Sequence, residues 1–422
     1  MVRYAPGNFF IGLFGKRHWI VTPFLVLYLV FILVYYLIFL AHPLNTIGSD
    51  LISFLTGAEI VKEGKGELLY NLQTQYGYQL EVIKPYQKSN LLPFRGLPFL
   101  AFLFIPLTYF PLFTAYKLFI IVNTLVLVTF LMLSSRFFKF LNDKKLFYLL
   151  PLSFFPVVTS IVIGQYVTFL LLIIFFIYSY LKDDRPFYAG ILGGLLLIKP
   201  QFLLLVPFLI LITKGKTKFI FGFLSSSAAI FLFSLLLFKG EFVSSYLSFL
   251  SQTETPAFGS RYWHMFSFYG ALQSLFPLVD RNIFLVLNGF LYVFSLYLFN
   301  RKISNLTFDR LFSIGILFTS VFSLHTLVHD LIVFLIPIFI LLSELFSQKT
   351  KSQVKFYLRT ILITLYFLPL IILSGRASIS ALVILFIAFL LLFPKSNSNI
   401  LVAIQKRLDN LLEDRNSDMT NQ

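Results

Sequence analysis

The chain has 422 residues, of which 58% are hydrophobic and 19% aromatic; 12% are charged, against the ~25% usual in a soluble domain. Lysine and arginine outnumber aspartate and glutamate by 34 to 18, which gives a formal net charge of +16. This composition excludes an ordinary soluble protein. The absence of cysteine excludes disulfides, thiolate catalysis and thiolate-bound metal clusters.

The first long apolar run, residues 21–41, is long enough to cross a hydrocarbon layer of ~30 Å. It lacks the short apolar core and the small-residue cleavage site of a removable signal peptide, so we expect it to remain as the first span. Similar runs follow along the chain and predict an all-α polytopic membrane bundle. The predicted spans, about twelve, are 21–41, 112–135, 146–163, 166–181, 187–199, 201–213, 219–238, 282–299, 311–324, 331–346, 357–374 and 378–393.

Residues 42–111 follow the first span and form the first outer loop in this topology. Within them, residues 51–63 place apolar side chains at helical spacing. This pattern predicts amphipathic helices that lie on the outer leaflet with their apolar faces in lipid. The proline-broken segment 98–110 is too short for a confident span, and we expect it to be interfacial.

The Lys199-Pro200 pair interrupts the apolar stretch 187–213. Either two short spans or one re-entrant pair fits this pattern, and both leave every later loop on the same side of the membrane.

Basic residues lie in short groups between the apolar runs rather than along one soluble face, which indicates a membrane and no nucleic-acid partner. The positive-inside rule assigns most of these groups to the cytoplasm and therefore places both termini there. We expect one integral membrane domain over residues 1–394 and a polar cytoplasmic tail over residues 395–422.

With this orientation, polar residues at the ends of the spans collect on the outer side. Ionisable groups in or beside the hydrocarbon are costly and are functional candidates by default. A cavity with one or two acids and several cations suits an anionic, lipid-linked ligand. The candidates are Asp50, Glu59, Arg95, Gln165, Lys199, Gln201, Arg261, His264, His325, His329, Asp330 and Arg376.

Five short stretches of the chain resemble glycosyltransferase family 87, a GT-C family similar to the polyprenol-phosphate-mannose-dependent mannosyltransferases. Asp50 stands soon after the first span and is followed by GKGELLY, which ends at Tyr70. The other stretches are PFRGLPFLAFLFIPL at 93–107, IGQYVTFLLL at 163–172, AGILGGLLLIKPQ at 189–201 and SLHTLVHD at 323–330. The chain departs from the family pattern at Arg95-Gly96 and Ser323-Leu324, which leaves the acceptor open.

The resemblance implies a GT-C type bundle that moves a hexose, most simply mannose, from a polyprenyl-phosphate sugar to a lipid or glycan acceptor. The transfer would invert the anomeric centre on the outer face of the plasma membrane, with Asp50 as general base. Neither a cofactor nor a metal is expected. Residues expected to bind the donor phosphate or sugar are Lys199, Gln165, Arg261, His264, His329 and Arg376.

Each of these residues also has a structural interpretation. Asp50 could be a helix N-cap, and Lys199 could extend to the membrane interface. Gln165 could simply start a helix, and the glycines at 190, 193 and 194 permit close helix packing. Arg261, His264 and Arg376 could lie at the membrane boundary among aromatic side chains.

Two further functions stay open from the residues alone. His325 and His329 are four apart, which on a helix would place both on one face and could bind zinc. A transporter or flippase of lipid-linked sugars would also need many spans and a cationic cavity. A carrier, however, should present charge towards both leaflets, whereas this chain gathers its polar candidates at one side.

Overall fold

The computed structural model describes residues 18–41, 43–138, 150–259, 261–347 and 352–393, and these are almost entirely helical, with no strand among them. The predicted all-α class is confirmed for this part of the chain. The α-helices are α1 (His18–Ala41), α2 (Pro43–Ile47), α3 (Leu51–Lys62), α4 (Leu72–Ile83), α5 (Pro98–Phe104), α6 (Leu112–Phe137), α7 (Phe155–Val162), α8 (Val167–Lys182), α9 (Pro186–Gly194), α10 (Leu205–Ile212), α11 (Lys216–Phe238), α12 (Phe242–Thr253), α13 (Phe268–Leu275), α14 (Arg281–Asn300), α15 (Phe308–Phe322), α16 (Leu335–Leu345), α17 (Ser352–Phe367) and α18 (Ser380–Leu392). The 3-10 helices are Gly66–Leu68, Ile105–Tyr109, Leu195–Ile198, Pro200–Leu204, Pro256–Phe258, Tyr262–His264, Ile303–Asn305, Val328–Phe334, Leu368–Ser374 and Ala377–Ile379.

Several helices are long and apolar enough to cross a membrane, and each corresponds to a predicted span. Within the described ranges these are Leu112–Phe137, Lys216–Phe238, Arg281–Asn300, Val328–Leu345 and Val354–Ser374. Shorter apolar helical stretches cover Val26–Ile38, Pro98–Tyr109, Val167–Lys182, Pro186–Ile198, Pro200–Ile212 and Ala377–Leu392. The chain is therefore a multi-pass membrane helical protein, while the total of about twelve spans stays a prediction. The polar tail predicted over 395–422 lies outside the described residues.

Burial separates central helices from peripheral ones. In the stretch Val328–Leu345, 83% of the residues are buried inside the protein. In the most apolar 18-residue window of Lys216–Phe238 the share is 17%, so most of this helix faces outward. Fully buried aromatic side chains such as Phe175, Phe208 and Phe312 fill the space around the central stretch. The residues at the start of Val328–Leu345 are thus held in the middle of the bundle.

The segment 186–212 forms a helical hairpin with Lys199 at its tip. The backbone at Lys199 is not helical (φ −139°, ψ 82°), because a following proline disfavours the helical conformation. Pro186 at one end of the segment and Ile212 at the other end line the same cleft, so the chain runs out to Lys199 and returns.

Glycines allow the first arm of this hairpin to pack closely on α11. A Cβ atom at Gly190 would lie 2.1 Å from the Phe219 carbonyl oxygen, and one at Gly194 would lie 2.0 Å from Ser226 Oγ. The close-packing interpretation of these two glycines is confirmed, and the packing anchors the arm that ends at Lys199.

Helix α3 forms where a helix was predicted, but its predicted position on the membrane surface is wrong. Ten of its twelve residues are buried, so both faces of the helix are covered by protein. The ring of Phe94 lies directly over Gly57, where an added Cβ would come within 2.7 Å of the ring. Because α3 is enclosed, the residue at its start is fixed relative to the bundle.

Helix α4 holds the chain that leads to Arg95. Gln75 accepts a hydrogen bond from the Phe94 backbone N–H at 2.8 Å and donates to the Phe94 carbonyl at 3.2 Å. Gln79 accepts from the Leu92 N–H at 2.7 Å in the same way. These buried amides satisfy the backbone of an extended segment that has no neighbouring strand.

Candidate active site

Asp50 is positioned by a tight turn at the start of α8. Gly164 has a positive φ of 69°, and a Cβ there would come within 2.9 Å of Leu51 Cβ, so only glycine lets the turn approach α3 this closely. The Asp50 N–H donates to the Ile163 carbonyl at 2.8 Å. Gln165 Nε2 then donates to Asp50 Oδ2 at 2.6 Å. The aspartate and the glutamine predicted from two separate motifs are therefore brought into direct contact.

The capping interpretation of Asp50 is wrong for its side chain. Asp50 occupies the N-cap position of α3, but its carboxylate makes no capping hydrogen bond. The side chain is partly exposed, and Gln165 supplies the one hydrogen bond to it from the described residues. Gln165 Oε1 is buried, and within the same part of the chain it has no hydrogen-bond partner. The pair thus keeps a carboxylate oxygen and an amide oxygen without a hydrogen-bond donor from the described residues, and of the two the carboxylate oxygen can also take a proton from a hydroxyl.

Lys199 and His329 lie together through Asp330. The Lys199 ammonium donates to Asp330 Oδ1, and His329 Nε2 lies 3.5 Å from the same oxygen. Asp330 Oδ2 accepts from the Leu327 N–H at 2.9 Å. Asp330 is completely buried, and Lys199 is 8% exposed. The interpretation of Lys199 as a side chain that extends to the membrane interface is therefore wrong.

Tyr166 lies between the Asp50–Gln165 pair and Lys199. It follows Gln165 in the chain, its hydroxyl donates to the Ile198 carbonyl at 2.9 Å, and its ring centroid lies 5.7 Å from Lys199 Nζ. Asp50 is also within electrostatic range of His329. We refer to Asp50, Gln165, Lys199, His329 and Asp330 as the Asp50 cluster.

A second group of charged residues, the Glu254 bridge (Arg95, Glu254 and His325), links three separate loops. Glu254 Oε1 lies 3.5 Å from Arg95 Nε, and Glu254 Oε2 lies 3.0 Å from His325 Nδ1. Arg95 also donates to the Thr253 carbonyl at 2.6 Å. The pKa of Arg95 is lowered, because the effect of burial is larger than the opposite effect of the Glu254 and Asp50 carboxylates. Asp50 therefore has an arginine within electrostatic range.

Glu254 and Lys88 are site residues that the sequence did not reveal. Lys88 donates to the Ile47 carbonyl at 3.2 Å, and its pKa is lowered by burial and raised by the Asp50 carboxylate, with burial the larger effect. Each is an isolated charged residue in a loop, and none of the family motifs includes it. Their position on the predicted outer side was the one signal that could have identified them.

Three predicted donor-binding residues, Arg261, His264 and Arg376, have no hydrogen bond or ion pair, within the described ranges, to Asp50 or Lys199. Arg261 and His264 belong to an aromatic loop that packs near the 3-10 helix following Arg376. Burial and the nearby Arg261 lower the pKa of His264.

The two late histidines do not share a helix face, because the helix begins at Val328, between them. His325 faces Glu254, whereas His329 faces Asp330. Across the described ranges, no group of three or more histidine, aspartate or glutamate side chains converges as metal ligands would.

A cleft of about 420 Å³ lies at the other end of α8, lined by Lys182, Lys214, Asp184 and Asp309 among others. A helix of 16 residues is ~24 Å long, so the cleft is far from Gln165 and the Asp50 cluster. We call the two ends of the bundle the Asp50 end and the Lys182 end. The Asp50 cluster and this cleft are therefore at opposite ends of α8.

Comparison with known proteins identifies a family that matches the chain. The model of glycosyltransferase family 87 matches residues 97–323, which is more than half of the chain. No curated protein and no solved structure matches the chain. The matched range contains Gln165 and Lys199 and ends before His329 and Asp330. The match favours sugar transfer over the transporter alternative.

Proposed function

We propose a specific reaction for this chain, which belongs to glycosyltransferase family 87 and is a membrane glycosyltransferase. It moves a hexose from a polyprenyl-phosphate sugar to a lipid or glycan acceptor. In this proposal the sugar is mannose and the reaction takes place on the outer face of the plasma membrane, with both termini in the cytoplasm. The donor class and the sugar come from the resemblance to the family. The acceptor's chemical class is left as lipid or glycan.

The free acceptor sites of Asp50 and Gln165 support the role of Asp50 as general base. An acceptor hydroxyl that donates to Asp50 loses its proton to the carboxylate as its oxygen attacks the anomeric carbon. The bond between that carbon and the phosphate oxygen breaks, and polyprenyl phosphate leaves with the electron pair. Because the nucleophile enters opposite the leaving group in a single step, the anomeric centre inverts.

This reaction needs one carboxylate in contact with the reacting atoms. Phosphate leaves without protonation, whereas glycoside hydrolysis requires a second carboxyl group to protonate a poor leaving group. Asp50 is partly exposed and contacts a neutral amide, while Asp330 is buried and ion-paired. The difference supports Asp50, rather than Asp330, as the base.

Cationic side chains near Asp50 support the binding of an anionic donor. Lys199 contacts one carboxylate, and its other ammonium protons have no acceptor among the described residues. Arg95 is within electrostatic range of Asp50. Positive charge in a site of low dielectric constant stabilises the negative charge that develops on the leaving phosphate. His329 lies beside the lysine, and Gln165 Oε1, although buried, has no hydrogen-bond partner among the described residues.

The test is a transfer assay in membranes that contain the protein, with radiolabelled polyprenyl-phosphate mannose and polyprenyl-phosphate glucose as separate donors. We expect label to move from the mannose donor to a new lipid or glycan, and not to move in membranes that contain Asp50→Asn. Transfer from a nucleotide sugar, with none from either polyprenyl-phosphate donor, would contradict the proposal.

The proposed orientation has its own test, because the chain has no natural cysteine. Ser89 is exposed at the Asp50 end, and Asp183 is exposed at the Lys182 end. In intact cells an impermeant thiol reagent should label Ser89→Cys and should label Asp183→Cys only after the membrane is opened. The reverse pattern would place the Asp50 cluster in the cytoplasm.

A further inference from the structure

We infer that Asp330 is a positioning residue that holds the Lys199 ammonium at the tip of its hairpin and limits how strongly that ammonium retains phosphate. The inference rests on the proposed function, since it concerns the site that would bind the donor phosphate. Asp330 itself would not touch the sugar or the acceptor.

The contacts of Asp330 leave it no capacity for another role. One carboxylate oxygen accepts from Lys199 and faces His329, and the other accepts from the Leu327 N–H. Its side chain is 1% exposed, so neither solvent nor an acceptor hydroxyl reaches it. A carboxylate that is paired with a cation and enclosed can fix its partners, but a substrate hydroxyl cannot reach it to give up a proton.

Lys199 is held from several directions. Asp330 contacts its ammonium, the Tyr166 ring centroid lies 5.7 Å away, and the non-helical backbone before Pro200 sets the point from which the side chain leaves. A flexible lysine side chain is thereby ordered before any ligand arrives, which lowers the entropy cost of a phosphate contact.

The charge of Asp330 has a second consequence. A donor phosphodiester carries one negative charge, whereas the departing polyprenyl phosphate can carry two. An uncompensated buried lysine would attract the dianion more strongly than the donor, and product release would slow. The carboxylate offsets part of the lysine charge, so we expect it to favour exchange of product for new donor.

The main variant is Asp330→Asn, which keeps the shape and the hydrogen bond from Leu327 but removes the charge. The measurement is binding of polyprenyl phosphate to the purified protein, with the neutral polyprenol of equal length as the reference lipid. Asp330→Asn also holds Lys199 less firmly, which opposes phosphate binding, but we expect loss of the repulsive charge to be the larger effect. Polyprenyl phosphate should therefore bind at least about tenfold more tightly, with polyprenol unchanged. In the transfer assay, inhibition by polyprenyl phosphate should strengthen and kcat should fall. Unchanged or weaker phosphate binding by folded Asp330→Asn would overturn the inference.

A matched control uses another partly buried ion pair. Arg310 Nε contacts Glu344 Oε2 at 2.9 Å towards the Lys182 end, and Glu344→Gln removes the charge there. This variant should change stability without changing the preference for polyprenyl phosphate. A tighter phosphate complex in Glu344→Gln as well would attribute the effect to net charge and would also overturn the inference.

Removing one partner of a buried pair can prevent folding, so a second variant keeps the pair. Lys199→Asp combined with Asp330→Lys preserves both charges but places the carboxylate at the hairpin tip. We expect this protein to fold and to lose its preference for polyprenyl phosphate over polyprenol; a retained preference would count against the inference. If the parent protein itself shows no preference for the phosphate lipid, the proposed donor class fails instead.

Discussion

Carboxylates at the two ends of the helical bundle have different partners. At the Lys182 end, Asp309 accepts from the Lys182 ammonium at 2.9 and 3.0 Å and from the Tyr178 hydroxyl at 2.9 Å. At the Asp50 end, Asp50 accepts one hydrogen bond from the neutral amide of Gln165. One carboxylate is neutralised by a cation in contact with it, and the other contacts no cation among the described residues.

The difference distinguishes charges that support the fold from charges that remain available to a ligand. An ion pair with hydrogen bonds to both carboxylate oxygens satisfies the hydrogen-bonding capacity of a carboxylate near the membrane. It also links two helices, in this case α8 and α15. A carboxylate beside a neutral amide keeps its charge and a free oxygen, as a general base requires. Asp330 resembles Asp309 in its pairing although it lies in the Asp50 cluster.

The sharpest test of this comparison is Asp50→Asn. If Asp50 is the base, the substitution removes proton acceptance and should lower kcat by ~10²–10⁴-fold. Because the Asp50 side chain does not cap α3, little loss of stability is expected. The measurements are sugar transfer in membranes and thermal unfolding of the detergent-purified protein.

Measuring donor binding distinguishes loss of the catalytic base from a general defect in folding or binding. Asp50→Asn should retain polyprenyl phosphate as the parent protein does, since Lys199 is unchanged. Near-normal transfer by the folded variant would remove Asp50 from the base role, and the partly exposed Glu254 would become the next carboxylate to test.

A smaller effect is expected for Lys199→Ala. Loss of a charge-assisted phosphate contact worth ~1.5–3 kcal/mol should raise the half-saturating donor concentration by ~10- to 150-fold. The substitution also leaves Asp330 buried without its cation, which should destabilise the protein by ~3–5 kcal/mol.

The double variant Lys199→Ala/Asp330→Asn removes both charges and therefore separates the loss of donor binding from the loss of stability. We expect it to recover folded yield while the half-saturating donor concentration stays high. Recovery of normal donor use by the double variant would show that Lys199 serves only to neutralise Asp330.

The sequence was sufficient for the helical class, and it singled out candidate site residues that the structure places in one cluster. Long apolar runs predict helices regardless of their neighbours, and Asp50, Gln165 and Lys199 stand out as polar groups beside such runs. The family motifs gave their order. The contact between Asp50 and Gln165, however, depends on the turn at Gly164, whose close approach to Leu51 is a tertiary feature.

What the sequence could not supply is pairing over long separations. Lys199 and Asp330 are 131 positions apart, and no local pattern links them. Likewise, α3 has a helical apolar pattern that fits a surface helix equally well until Phe94 is seen to cover its other face. Glu254 was missed because a single loop carboxylate has no motif around it.

The smallest effect is predicted for Asp309→Asn, the same chemical change as Asp50→Asn made at the Lys182 end. Lys182 and Asp309 are each 39% exposed, and pairs this accessible contribute ~0.2–1 kcal/mol, so unfolding should change little. Sugar transfer and donor half-saturation should equal those of the parent protein, because the length of α8 separates Asp309 from the Asp50 cluster. A loss of transfer comparable with that of Asp50→Asn, in a protein that still folds, would mean that the Lys182 end and its cleft take part in catalysis. The assignment of the two ends to fold and to chemistry would then be wrong.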